Sequence, residues 1–303
     1  MHIGDLEKFL FIVQEGSLTK AAQKISLSQP ALTKIVAKLE NEFNTNLFDK
    51  AKLPWKLTPA GMFFAENARK IIALKDELKQ GMVSFSHDSF YRLRLGTMSL
   101  EENYLLPKII PTFVKEQQKV KIDMFTGFPK NLTDFLLYNE VDIALTVLPL
   151  DTEEIEYIPL KTYNILVAIP INHKLAKGYT FPKDKKSLPE IDLALLKEDT
   201  LFLLKPDYCL RKMTLDACIK AGFAVKNYIE IYKTAIAHSY ISSGHGYTFV
   251  FDIMTETHKD EVAYFKVKNQ TLTQELVFAY KKGKKLNEIE KSFLQTLQSK
   301  IKK

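Results

Sequence analysis

Between Ser28 and Lys38 the chain concentrates side chains suited to hydrogen bonding with a nucleic acid: Ser28, Gln29, Thr33, Lys34 and Lys38, with Pro30 and Ala31 among them. A carboxamide donates and accepts at once, as an adenine edge requires, and lysine ammonium groups pair with phosphates or guanine acceptors. Lys50, Lys52 and Lys56 extend the charge, so that seven lysines between Lys20 and Lys56 face only Glu40, Glu42 and Asp49. Other chemistry is sparse. The six histidines have no metal-ligand spacing with a second histidine or cysteine. No nucleophile elbow or P-loop occurs, and Gly244-His245-Gly246 is too short for a dinucleotide fingerprint. Two cysteines, Cys209 and Cys218, are too few for a disulfide scaffold and point to a reducing compartment. No catalytic residue, metal or cofactor is expected.

The elements that must position the basic run are legible around it. Leu6, Phe9, Leu10 and Val13 give residues 3–15 one apolar helical face. Gly16 can stop that helix and Ser17 can cap the next, whose Ala21, Ala22 and Ile25 form a small apolar face that admits close approach. Ser26-Leu27-Ser28 makes a turn. Ser28 caps a further helix with Pro30 in its first turn, and Leu32, Ile35, Val36 and Leu39 form the buried side. A short helix, a tight turn and a helix with a polar, basic outer face is the pattern of a helix-turn-helix that enters the major groove. Asn44-Thr45-Asn46 breaks the helix, and residues 47–48 and 55–57 read as short strands around a basic wing. Thr58 and Pro59 then open a long helix with Phe63, Phe64, Ala68, Ile71, Ile72, Leu78 and Met82 along it, ending near Phe85 before a polar joint at 84–89.

Taken together, the upstream helix, Gly16-Ser17, Ala21-Ala22, Ser28-Gln29-Pro30-Ala31-Leu32, Leu39-Glu40, Leu47-Phe48 and Leu57-Thr58-Pro59-Ala60-Gly61 resemble the N-terminal domain of LysR-type transcriptional regulators. The family usually has glycine where this chain has Asn44 and arginine where it has Lys50; Pro54 and Trp55 are also departures. The resemblance implies a winged helix-turn-helix over 1–58, a linker helix over 59–89 that pairs subunits, and an effector-binding domain over 90–303. It implies binding to pseudo-palindromic promoter DNA as a homodimer or homotetramer, with RNA polymerase as a partner. Gln29, Pro30, Ala31, Thr33 and Lys34 would then enter the major groove, with Lys50, Lys52 and Lys56 on the backbone.

After Leu93 strands and helices alternate, implying an α/β fold with parallel sheets and helical crossovers. Strands are expected at 93–97, 121–126, 141–147, 163–169, 201–204, 228–231, 247–251 and 275–280, with helices at 104–117, 132–138, 209–221, 235–242 and 286–301. Tyr104-Leu105-Leu106-Pro107, Val141-Asp142-Ile143-Ala144 and Ser243-Gly244-His245-Gly246 resemble the family's two-lobed effector domain of periplasmic-binding-protein type. By that resemblance the chain leaves lobe I (90–162 and 267–303) near Thr162, forms lobe II (163–266), and returns near Val267. Ligands of open α/β sheets bind at the carboxyl ends of strands. Those ends carry Met98, Ser99, Leu100, Thr126, Gly127 and Thr146, with Phe202, Tyr247 and Thr248 from the second lobe. The helix start at Ser99 is expected to suit an anion.

Cys209-Leu210-Arg211 through Cys218 and Ala221-Gly222 resembles the redox loop of the OxyR-type peroxide sensors of this family, although Tyr208 and Leu100 replace that subgroup's histidine and peroxide-contacting polar residue. In a helix, nine residues separate two cysteines by about 13 Å along the axis, so a disulfide would require unwinding. Arg211 and Lys212 could favour a thiolate. A metabolite-responsive regulator is therefore the leading expectation and a Cys209–Cys218 switch the alternative. A solute-binding protein or an enzyme without DNA binding is more distant. The chain's 303 residues, 46% hydrophobic and 26% charged with a net charge of +7, allow more than one globular domain. No apolar run spans a bilayer and no secretion signal opens the sequence, so a cytoplasmic protein without membrane partners is expected.

Overall fold

A computed structural model describes residues 1–25, 27–50, 55–83, 90–150, 152–182, 187–206 and 208–301. The expected turn residue Ser26, the wing residues Lys52 and Pro54, and the joint at 84–89 lie outside the described residues. The chain forms two compact units. One comprises Met1–Arg94, Lys119–Asp123 and Asp134–Asp142; the other comprises Leu95–Gln118, Met124–Thr133 and Ile143–Lys303.

The first unit opens with helices α1 (Ile3–Glu15), α2 (Leu18–Lys24) and α3 (Gln29–Glu42). Gly16 ends α1 at φ 60°, a left-handed conformation that a side chain would disfavour, and its N–H reaches the Ile12 carbonyl. Ser17 caps α2 by accepting from Lys20 N, and Ser28 caps α3 by accepting from Ala31 N at 3.3 Å. Leu6, Phe9, Ile12, Ala21, Leu32, Val36 and Leu39 are buried where the three helices meet, while Ile35 is only half-buried. The wing strands β1 (Phe48–Asp49) and β2 (Lys56–Leu57) pair antiparallel, Phe48 opposite Leu57. Asn44 takes φ 48°, a conformation open to asparagine as well as glycine, which explains how the turn tolerates the departure from the family's residue. Trp55 packs on Phe48 with ring centroids 5.7 Å apart, beneath the Lys50 ammonium.

Helix α4 (Pro59–Val83) starts directly from β2. Thr58 accepts from Gly61 N at 2.9 Å and donates to the Asn46 carbonyl at 2.7 Å, while its own N–H reaches the Leu47 carbonyl. The first turn of α4 therefore lies against the wing backbone. Farther along, Arg69 stacks over Tyr138 at 4.2 Å. Arg94 makes a 2.8 Å ion pair with the buried Asp142 carboxylate, which also accepts from Arg94 N, so the aspartate of the Val-Asp-Ile-Ala motif ties two strand entrances together.

The remaining elements are β3 (Tyr91–Thr97), α5 (Ser99–Tyr104), α6 (Leu106–Glu116), β4 (Val120–Thr126), α7 (Pro129–Leu137), β5 (Ile143–Val147), β6 (Ile155–Pro170), β7 (Glu190–Ile191), β8 (Leu201–Leu204), α8 (Cys209–Lys220), β9 (Tyr228–Ile231), α9 (Thr234–Ser242), β10 (Thr248–Phe251), β11 (Val262–Val267), β12 (Thr273–Lys281) and α10 (Glu288–Ile301). The main sheet runs β4-β3-β5-β12-β6-β11-β7, with β10 also on β6. The parallel pairs expected from strand–helix alternation occur at β3/β5, β8/β9 and β7/β11. Its centre is antiparallel instead, because the sixteen-residue β6 pairs with β12 along its first part and with β10 and β11 along its second. The expected strand at 163–169 is thus the end of a longer one, and β11 has no counterpart among the expectations. The expected helix from Tyr104 breaks at Leu105 into α5 and α6. Among the described residues no helix is long and apolar enough to cross a membrane.

A Cβ added to Gly61 would sit 1.9 Å from the Leu47 carbonyl oxygen, a backbone atom that cannot step aside cheaply. Gly61→Ala is expected to cost about 1–3 kcal/mol and to lower the thermal midpoint of a 1–83 fragment, read by circular dichroism. An unchanged midpoint would show that α4 does not bear on the wing.

Candidate functional site

On the outer face of α3, Ser28, Gln29, Pro30, Thr33, Lys34 and Lys38 are exposed and Ala31 is half-buried. Gln29 does not hang free: its carboxamide oxygen accepts from Thr19 Oγ1 of α2 at 3.2 Å, which orients the amide. Thr33 donates to the Gln29 carbonyl at 3.0 Å. Lys38 reaches across to Asp5 of α1 at 2.8 Å, and that pairing holds the Asp5 carboxyl below the usual carboxylate range. Lys50 pairs with Glu40 at 2.6 Å. The other oxygen of the buried Glu40 accepts from Leu47 N at 2.9 Å and Phe48 N at 3.3 Å, binding α3 to the wing. Lys34 and Lys56 remain at the surface. Thr19, Asp5 and Glu40 are the positioning residues that sequence reasoning missed. Glu40 stood in the matched Leu39-Glu40 pair, but counting it as a charge concealed its fixing role.

In the second unit the residues expected around an effector fall into two groups. Phe202, Tyr247 and Thr248 are drawn together: Phe202 N donates to the Tyr247 carbonyl, and Thr248 Oγ1 donates to the Phe202 carbonyl at 2.9 Å. All three are buried, and Phe202 stacks on Tyr240 at 4.7 Å. The other group lies at the ends of β3, β4 and β5, where Met98, Ser99 and Leu100 are half-buried, Gly127 N donates to the Thr97 carbonyl and Thr146 is buried. Thr126 donates to Glu102 at 2.5 Å. The first turn of α5, the helix start expected to suit an anion, also carries two glutamates, Glu101 and Glu102. Glu101 is fully buried, neither carboxyl oxygen has a hydrogen-bond partner, and burial pushes it up to about 8.

Cys209 is exposed at the start of α8 and Cys218 is buried toward its end. The helix is continuous between them, which puts them on the order of 13 Å apart along the axis. Burial pushes the Cys218 thiol up to about 11, against a hydrogen bond with Tyr247 that lowers it. Arg211 donates to the Leu204 carbonyl at 2.6 Å and lies 3.6 Å from Glu230. Among the described residues no group of three or more His, Cys, Asp or Glu side chains could hold a metal.

A proton must accompany Glu101 into the folded state, since its unfolded carboxyl titrates near the ordinary 4.5 and its folded one near 8. The corresponding stability is present below pH 4.5 and is lost as pH rises to 8. Glu101→Gln removes the ionisation and keeps the shape. Its melting temperature should exceed that of the parent chain by a margin that widens from pH 5 to pH 8; a constant margin would contradict the raised pKa.

The family model for bacterial regulatory helix-turn-helix proteins of the lysR family matches residues 3–62, and the model for the LysR substrate binding domain matches residues 88–302. YcgK of Bacillus subtilis (strain 168), described as an uncharacterized HTH-type transcriptional regulator, is 25% identical over 313 residues, covering 100% of this chain and 95% of its own. The DNA-binding transcriptional dual regulator OxyR of Escherichia coli (strain K12) is 24% identical over 266 residues, 87% of this chain and 84% of its own. The structure of full-length CbnR complexed with its target DNA superposes with a TM-score of 0.65 at 16% identity, covering 100% of both chains, and shares the fold. With a helix-turn-helix and a substrate-binding domain both matched, this chain belongs to the LysR family of transcriptional regulators.

Proposed function

We propose that the protein binds promoter DNA through α3, with Gln29, Pro30, Ala31, Thr33 and Lys34 in the major groove and Lys50, Lys52 and Lys56 along phosphates, and that a small metabolite bound at the strand ends of the second unit controls it. The observation that carries the first part is the Thr19–Gln29 hydrogen bond. It fixes the carboxamide oxygen toward α2 and leaves the NH2 group for an acceptor on a base edge. Lys38, bound to Asp5, contributes charge to the field and no base contact.

The domain division proposed is 1–58 for DNA binding, 59–89 for pairing and 90–303 for the effector. Supporting the middle assignment, Phe63, Ile71, Leu74, Leu78 and Met82 are exposed along α4 at near-heptad spacing, Phe63 being 70% and Leu74 and Leu78 each 67% accessible. A second α4 covers such a stripe, giving a dimer that reads two half-sites. Dimers of dimers, contact with RNA polymerase and a non-enzymatic role in the cytoplasm are part of the same proposal.

The deciding experiment is binding to the DNA upstream of the protein's own gene, at fixed salt, against a random duplex. Gln29→Ala should cost about 1–3 kcal/mol at one base position and spare random DNA. Lys56→Ala should weaken both duplexes alike and lower the salt slope by about one. Equal losses on both duplexes for both variants would refute the division of roles.

A metabolite is favoured over a thiol switch because α8 is intact, Cys218 is buried and its thiol is held protonated. Alkylation should therefore modify Cys209 quickly and Cys218 slowly, and mass spectrometry after mild peroxide should show no Cys209–Cys218 disulfide. Such a disulfide would establish the switch instead.

A further inference from the structure

Glu101 is a carboxyl group without a counterion in the interior of the second unit. It is fully buried, and neither oxygen meets a donor. Two further buried groups of the same sheet also lack partners, the Thr146 Oγ1 near the end of β5 and the Tyr163 hydroxyl midway along β6. Backbone pairing sets their neighbourhood: Gly96 of β3 lies opposite Ala144, two residues before Thr146, and α5, carrying Glu101, leaves the end of β3. Burial holds the Tyr163 hydroxyl protonated, and Glu101 and Asp252 lie close enough to add to that effect. The charged groups facing this region are Glu102 on α5, Asp252 after β10 and Lys161, whose ammonium lies over the Tyr163 ring at 5.6 Å.

Isolated buried polar groups are costly, and native proteins retain few. The strand-end residues named above include no arginine or lysine, and the Thr126 hydroxyl is already given to Glu102. None of them can match a full negative charge, whereas Glu101 can match a positive one once it ionises. We propose that Glu101, with Thr146 and Tyr163, is the subsite for a positively charged group of the effector, a primary ammonium or a guanidinium. This rests on the reading of the strand ends as the effector site and adds the ligand's chemical class. When the cation enters, Glu101 loses its proton to solvent and the carboxylate pairs with the incoming N–H donors. The Thr146 and Tyr163 oxygens accept further hydrogen bonds.

The test uses the full chain and two probe series matched in chloride and ionic strength: ethylammonium, 1,4-diaminobutane, guanidinium and L-arginine as cations, acetate and succinate as anions. At up to about 10 mM, at least one cation should raise the thermal midpoint saturably by about 2 °C or more. Glu101→Gln should weaken that probe at least tenfold. Calorimetry at pH 7 in buffers of different ionisation enthalpy should show close to one proton released per cation bound. Equal shifts in the parent chain and Glu101→Gln would overturn the proposal, placing the cations elsewhere. A response to carboxylates alone, lost in Ser99→Ala, would overturn the cation class and leave the strand-end site standing. Silence from both series would overturn the proposal together with that site.

Discussion

The DNA-binding half depends on one buried carboxylate. Glu40 sits near the end of α3 and spends one oxygen on two backbone N–H groups of the wing and the other on Lys50. A two-residue strand has too little hydrogen bonding of its own to hold a position. With Glu40 in place, the wing is registered against the recognition helix, and Leu47 in turn presents the carbonyl on which Thr58 and Gly61 rest. Three elements, α3, the wing and α4, are thus fixed by contacts within some twenty residues of chain. Phe9 fills the space behind them, touching Phe48 and Phe64 at ring distances of 5.2 and 4.9 Å.

The effector half is organised differently. Strand β6 spans sixteen residues and serves two sets of neighbours, β12 first and then β10 and β11. Apolar side chains such as Ile165, Val167 and Ile169 fill the second part, so burial dominates its energetics. Against that background Glu101 is costly. Its oxygens lie in the interior without donors, and the carboxyl stays neutral to well above ordinary acidity. A stable fold has no need of such a residue, which makes it a functional candidate on physical grounds.

Local chemistry made much of this legible in the sequence. Ser17, Ser28 and Pro30 announced helix starts because capping needs only a side-chain oxygen and a missing N–H, both readable from residue type. Gly16 announced a left-handed stop for a similar reason. Contacts across the chain were not legible. Nothing about Lys38 or Lys50 as single residues reveals that Asp5 and Glu40 await them. Residues 155–162 lack strong alternation, and their strand character comes from β12 across the sheet, a tertiary cause that propensity cannot supply. For Glu101, residue type gives no sign: only the fold shows that one of two adjacent glutamates is enclosed.

The seating of α4 on the wing has a mechanical consequence. Twenty-five helical residues make a rod about 37 Å long, and the contacts of Thr58 and Gly61 leave no slack at its base. Turning force applied anywhere along the rod is therefore delivered to the reading head as rotation. A displacement of about 3 Å at the far end, roughly one side chain's width, corresponds to a swing of about 5° at the base.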